Sequence, residues 1–170
     1  MKPERPERIF RYLVPIEVVA LTEQHFRQAG RKSMEAIGYW TGTFAGDDAR
    51  IIDAIFPSKF AKKRFGSWGH TRVDLDTAFR IAQEIRRREQ YLLVQLHTHP
   101  LEAFHSWIDD QYPISHRLGF VSVVIPHFAK FPMAEQGTWK VYEYLGAGRW
   151  RALDPDEVGQ RFIITRGDLR

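Results

Sequence analysis

Tyr91-Leu92-Leu93-Val94-Gln95-Leu96-His97-Thr98-His99-Pro100 is an apolar run that closes on two histidines and a proline, and its reading decides the fold. Six residues without a helical break read as a strand apolar on both faces, and such strands are usually covered by helices on both sides of the sheet. Gly119 to Ile125 reads the same way. Working outward, Asp74 is placed to cap a helix whose apolar positions Leu75, Ala78, Phe79, Ala82 and Ile85 should line one face, ending in Arg86-Arg87-Arg88-Glu89. Ala36 to Phe44 and Arg50 to Phe56 flank the turn Ala45-Gly46-Asp47-Asp48 and predict a hairpin. Further toward the N-terminus, Ile9 to Val14 predicts a short strand. Ile16 to Ala29 predicts a helix with Val18, Leu21, His25/Phe26 and Ala29 at helical spacing and Gly30 as its stop. Trp139 to Leu145 and Trp150 to Leu153, joined across Gly146-Ala147-Gly148, predict a closing hairpin, and Asp154-Pro155 opens a short helix. The expected class is α/β, a central mixed sheet flanked by helices.

The chain has 170 residues and a mass of 19.9 kDa, close to one domain, and we expect a single domain over 1–170. With 44% hydrophobic and 14% aromatic residues it can bury a core without metal or disulfide staples. The absence of cysteine excludes disulfides, cysteine-ligated zinc, iron–sulfur clusters and thiol mechanisms, which leaves His, Asp, Glu and Ser for any chemistry. A net charge of +4 and a pI near 9.5 suit an acidic partner without demanding one. The start, Met1-Lys2-Pro3-Glu4-Arg5-Pro6-Glu7-Arg8, has no apolar core of a secretory signal, and Leu13 to Leu21 is broken by Pro15 and Glu17. The expected location is the cytoplasm, with no membrane partner.

In an extended chain, residues two apart point to one side, so the imidazoles of His97 and His99 can converge on one metal. Pro100 then turns the chain away. Asp109 follows ten residues after His99, within Ser106-Trp107-Ile108-Asp109, close enough for a short loop to return a carboxylate. Two imidazole nitrogens and one carboxylate suit Zn²⁺, and three protein ligands leave the fourth tetrahedral position open, as in catalytic sites. Asp110 offers a second carboxylate one position on. A hydrolytic zinc site also needs a general base beside the metal, and Glu35 is the candidate, although spacing alone does not select it from the other acids.

Taken together, Ser33-Met34-Glu35-Ala36-Ile37-Gly38-Tyr39-Trp40-Thr41-Gly42, His97-Thr98-His99-Pro100 and Ser106-x-x-Asp109 resemble the JAMM signature of the JAB/MPN metalloprotease family. The resemblance covers roughly residues 10–153, leaving 154–170 as a C-terminal extension, and implies the JAB/MPN, cytidine deaminase-like architecture. It implies one zinc per chain held by His97, His99 and Asp109, with Asp109 preferred over Asp110 because it keeps the Ser-x-x-Asp register. Glu35 would then move a proton from the attacking water to the leaving amine, and Ser106 would hydrogen-bond the oxyanion. Only five residues separate Pro100 from Ser106, a shorter loop than in many eukaryotic members.

Family members hydrolyse peptide or isopeptide bonds after the C-terminal tail of ubiquitin or a ubiquitin-like protein. The resemblance therefore implies a deubiquitinase-like isopeptidase acting on a conjugate or a precursor. The compact length is similar to that of bacterial stand-alone members that work beside ubiquitin-like activating and conjugating enzymes, some in antiviral defence. Segment 58–72 carries five Lys/Arg and no acid, interleaved with Phe60, Phe65 and Trp68. Phe60, Lys62, Lys63, Arg64 and Trp68, with His105 in the motif loop, are candidate substrate contacts. His70, His116 and His127 show no partner pattern, and His25 reads as a packed helix-face residue. Two other readings stand beside this one: a metal-dependent phosphoesterase or nuclease, and a non-catalytic MPN-type binding module. Nucleic acid is not the expected partner.

Overall fold

A computed structural model describes Pro6 and residues 9–57, 73–103 and 114–167. Eight strands form one mixed sheet: β1 (Arg11–Pro15), β2 (Ile37–Ala45), β3 (Asp48–Ile55), β4 (Tyr91–Thr98), β5 (Val121–Ile125), β6 (Lys140–Gly146), β7 (Arg149–Ala152) and β8 (Phe162–Thr165). Their spatial order is β7-β6-β5-β4-β2-β3-β1-β8. Three helices accompany them among the described residues, α1 (Ile16–Gly30), α2 (Leu75–Arg87) and α3 (Pro155–Arg161). This is the mixed α/β class expected from the apolar strands.

The hairpin β2–β3 and the antiparallel pair β2–β4 make the middle of the sheet. The close fit of β2 to β3 needs Gly42, because a Cβ there would lie 1.8 Å from the Arg50 carbonyl oxygen, at the point where the register shifts. Beyond β4, β5 runs parallel to it, so the carboxyl ends of both strands, and the loops that leave them, lie together. Binding sites of open α/β sheets sit at such strand ends.

The two faces of the sheet carry separate cores. On one face Val18, Val19 and Phe26 of α1 pack with Trp40, Ile51, Val94, Leu96 and Val123. On the other, Ile81 of α2 packs with Tyr39 and Ile55, joined by Ile37, Leu92 and Ile114. Alternation along β2 explains the division, since neighbouring Tyr39 and Trp40 point to opposite sides.

Both long helices form where expected but present different faces. In α1 the buried line is Val18, Val19, Thr22 and Phe26, while Leu21 is exposed. Thr22 displaces the leucine because its hydroxyl is satisfied inside, donating to Val18 O at 2.8 Å and accepting from the Trp40 indole at 2.9 Å. In α2 the side chain of Asp74 caps Thr77 N–H as expected. The expected stripe is nevertheless turned outward: Leu75 is 90% exposed and Phe79 62%, and Ala82 is exposed too, while Thr77 and Ile81 are buried. Seating Ile81 between Tyr39 and Ile55 sets the rotation of the helix, and Leu75, Phe79 and Ala82 fall on the far side. Ala78 and Ile85 stay half-buried at the margin.

The stretch after 153 extends the sheet. Asp154 caps α3 in a capping box with Glu157. Then β8, unforeseen in the sequence, runs parallel to β1 and buries Phe162 against Tyr12, ring centroids 4.7 Å apart. Glu143 of β6 ties this region together by accepting from Arg151 of β7 at 2.8 Å and Arg161 of α3 at 2.9 Å. Burial pushes its carboxyl up, but the two guanidinium groups outweigh burial and hold it below the ordinary 4.5. A carboxylate lowered in the folded state stabilises fully above its unfolded value and loses that contribution as pH falls through the folded value. Glu143→Gln should therefore cost about 1–2 kcal/mol at neutral pH after solvent screening. The loss should shrink below pH 4.5, read as the difference in urea midpoint between the two proteins across a pH series.

Candidate metal centre

The His97-Thr98-His99 run leaves the carboxyl end of β4, and its two histidines are 5% and 4% exposed. Their ring centroids are 5.1 Å apart with planes inclined by 49°. The neighbourhood expected from strand alternation is thus present, two imidazoles side by side at the rim of the sheet. Thr98 points the other way, is fully buried, and its hydroxyl accepts from Ala36 N–H at 2.9 Å.

That threonine ties the histidine strand to Ala36, the chain neighbour of Glu35. Ile37 of β2 lies opposite His97, and Thr98 N–H donates to Ala36 O at 3.0 Å. One further step along the antiparallel register sets Glu35 opposite His99. Residues opposed across such a pair share a face of the sheet. Ile37 packs with the Tyr39–Ile81 cluster, so His97, His99 and Glu35 belong to the α2 side. Glu35 is half-buried, accessible to a reactant as a general base must be. Further along β2, burial pushes the Tyr39 phenol up, which keeps that ring neutral.

On its other flank His99 is fixed by main-chain bonds to the loop after β5. His99 N–H donates to Ile125 O at 2.9 Å, Phe128 N–H donates to His99 O at 2.9 Å, and His127 N–H donates to Leu101 O at 2.9 Å. This loop carried no signal in the sequence, because its turn uses His127, Phe128 and Ala129 at positive φ where glycine or asparagine is the usual marker.

Ser106, Asp109, Asp110 and His105 lie outside the described residues, as do Phe60, Lys62, Lys63, Arg64, Trp68 and His70. Among the described residues no group of three or more His, Asp or Glu side chains is gathered as a metal site. Residues 101–103 follow directly on the His97–His99 run, whereas Ile114, beyond 104–113, lies with Gln90 and Leu92 toward the other end of β4. Leu101 is bonded to His127, and Ile114 packs on the same α2-side cluster as Ile37. The donor set itself fits zinc: two buried imidazoles supply nitrogen ligands, and no thiolate is available to make a closed structural site. Among the described residues, the other histidines make ring contacts. His25 stacks on Phe56 at 4.0 Å, His116 meets Tyr144 edge-on, and His127 meets Phe131 edge-on.

No protein-family model matches the chain. It is 28% identical over 119 residues to the probable metalloprotease y4jG of Sinorhizobium fredii, an alignment covering 70% of this chain and 73% of that protein. Its fold is similar to the solution structure of protein DSY2949 from Desulfitobacterium hafniense, with a TM-score of 0.63 over 92% of this chain and 94% of that one at 17% identity. The chain is therefore an α/β protein with a histidine pair at the carboxyl end of a central strand. It is distantly homologous to a probable metalloprotease, and that relationship implies a metal. Among the described residues, no helix is long and apolar enough to cross a membrane.

Proposed function

We propose that this protein is a zinc-dependent peptidase of the JAMM type, hydrolysing the peptide or isopeptide bond after the C-terminal tail of a ubiquitin-like protein. The observation that supports the reading is that Ala36, the chain neighbour of Glu35, is bonded in both directions to Thr98, which lies between the buried His97 and His99. Distant homology to a probable metalloprotease supports the same chemistry. In this reading His97, His99 and Asp109 would hold one zinc, which would supply Lewis-acid activation of carbonyl and water near neutral pH. Glu35 accepts the proton of the attacking water and delivers it to the departing amine. Ser106 donates to the oxygen on which negative charge develops.

A conjugate tail is extended chain, and extended chain is held by strand addition with narrow pockets selecting small residues. The basic and aromatic side chains Phe60, Lys62, Lys63, Arg64 and Trp68, with His105, are proposed as contacts to the folded part of the substrate. A bacterial ubiquitin-like conjugation pathway, with its activating and conjugating enzymes as neighbours, is the proposed setting, and the cytoplasm the proposed location.

The test joins metal content to cleavage. Wild type should carry about one zinc per chain by elemental analysis, and His97→Ala and Asp109→Ala should each lose it. A linear fusion of a ubiquitin-like protein to a reporter should be cut by wild type only. A chain that takes up no zinc would overturn the reading. Zinc dependent on His97 and Asp109 without cleavage of any tail fusion would keep the metal centre and discard the substrate.

A further inference from the structure

The loop that holds His99 is built in an expensive conformation. His127, Phe128 and Ala129 have φ of 52°, 53° and 57°, three successive left-handed residues, none of them glycine. The turn is closed by Ala129 N–H to Pro126 O and Lys130 N–H to His127 O, each at 3.0 Å. L-residues visit this region singly, and each non-glycine there is strained. Three in succession persist only where the surroundings over-determine them.

The determinants lie on the last turns of α1. The Arg27 guanidinium donates through Nε to Ala129 O at 2.8 Å and through Nη2 to Lys130 O at 3.2 Å. Glu23, one helical turn earlier, pairs with Arg27 at 2.8 Å and accepts from Met133 N–H at 2.6 Å, so the same helix face grips both ends of the segment 129–133. Gly30 permits the approach, since a Cβ there would lie 2.4 Å from the Phe128 Cβ. In the left-handed turn Phe128 N–H faces His99 O, and right-handed dihedrals at 127–129 would redirect that N–H.

We infer that Arg27 is a positioning residue of the metal centre: it keeps turn 127–129 left-handed, and the turn fixes the His99 backbone so that its imidazole stands pre-aligned with that of His97. The inference rests on the zinc reading above and extends it to a side chain that touches neither metal nor substrate. Outer contacts that orient metal ligands commonly contribute 10–100-fold in metal affinity. Here the contact acts on the ligand's main chain rather than on its ring.

The experiment measures zinc affinity by competition with a chromophoric chelator, the visible spectrum of the Co²⁺-substituted protein, and the thermal midpoint. Wild type, Arg27→Ala, and Arg27→Ala with Ala129→Gly are compared. Arg27→Ala should weaken zinc binding by about tenfold or more and shift the cobalt bands. Glycine at 129 adopts the left-handed conformation freely, so the double variant should recover most of the affinity and the wild-type spectrum. Should Arg27→Ala not fold, Arg27→Gln, which keeps one donor for the two carbonyls, makes the same comparison. A lowered midpoint with wild-type affinity and spectrum would reduce Arg27 to a stability contact and overturn the inference, while His97-dependent zinc uptake would still stand. A wild type that takes up no zinc would overturn the metal reading and this inference with it.

Discussion

Glu35→Gln is expected to lower the rate of tail cleavage by about two to four orders of magnitude while leaving zinc content near one per chain. The substitution keeps the size and shape of the side chain and removes its ability to accept and return a proton. Glu35 sits at the mouth of β2, half-buried and opposite His99 in the antiparallel register, and its backbone neighbour Ala36 is bonded to Thr98 in both directions. Glutamine keeps the volume and a hydrogen-bonding oxygen of the carboxylate, so the fold and the two imidazoles should survive. Single-turnover cleavage of a linear tail fusion, beside elemental analysis of the same preparation, separates the roles. Full activity would remove Glu35 from the chemistry. Loss of zinc would instead make it a ligand.

Trp40→Ala carries the largest expected effect on stability, a loss of about 3–5 kcal/mol. The indole is fully buried in the middle of β2, opposite Val94 on one side and Ala54 on the other. It meets Trp139 edge-on at 5.9 Å and donates to Thr22 of α1 at 2.9 Å. Truncation opens a cavity at the point where helix and sheet are locked together. For a chain of this length the thermal midpoint should fall by roughly 6–20 °C. Urea unfolding followed by near-ultraviolet circular dichroism reads the change, and Trp40→Phe, which keeps one ring and loses the hydrogen bond and part of the indole's volume, should cost less. A loss below 1 kcal/mol would show that α1 is held to the sheet by other contacts. Because β2 also carries Glu35 and pairs with the strand of the histidines, the helix contact bears on the site as well as on the core.

The hairpin turn at 45–48, the caps Asp74 and Asp154 and the apolar runs of β4 and β5 were legible because each is a local signal, a turn residue or a periodicity acting over a few neighbours. The helix rotations were less so. Leu75, Phe79 and Ala82 look like a core stripe, yet Ile81 docks between Tyr39 and Ile55 and leaves them outside. Leu21 yields its place to Thr22 because Trp40 offers a hydrogen bond that no periodicity encodes. Strand β8 is only four residues long, and its pairing with β1 joins positions some 150 residues apart. The left-handed turn at 127–129 had no glycine to announce it, because its conformation is imposed from α1 by Arg27 and Gly30.

The chain's own order of residues determined the α/β class, the strand that ends in two histidines, and the donor chemistry, since alternation and the absence of cysteine are properties of the sequence itself. What the tertiary structure decided is which strand lies against the histidine strand and how the histidines are held. Ala36, beside Glu35, is joined to Thr98 through its hydroxyl and its main chain, and His99 is held between Ile125 of β5 and a left-handed turn that Arg27 of α1 grips. Register between β2 and β4 is set by burying Tyr39 and Trp40 on opposite faces, a long-range packing condition. A single slip would carry the acid to the other side of the sheet.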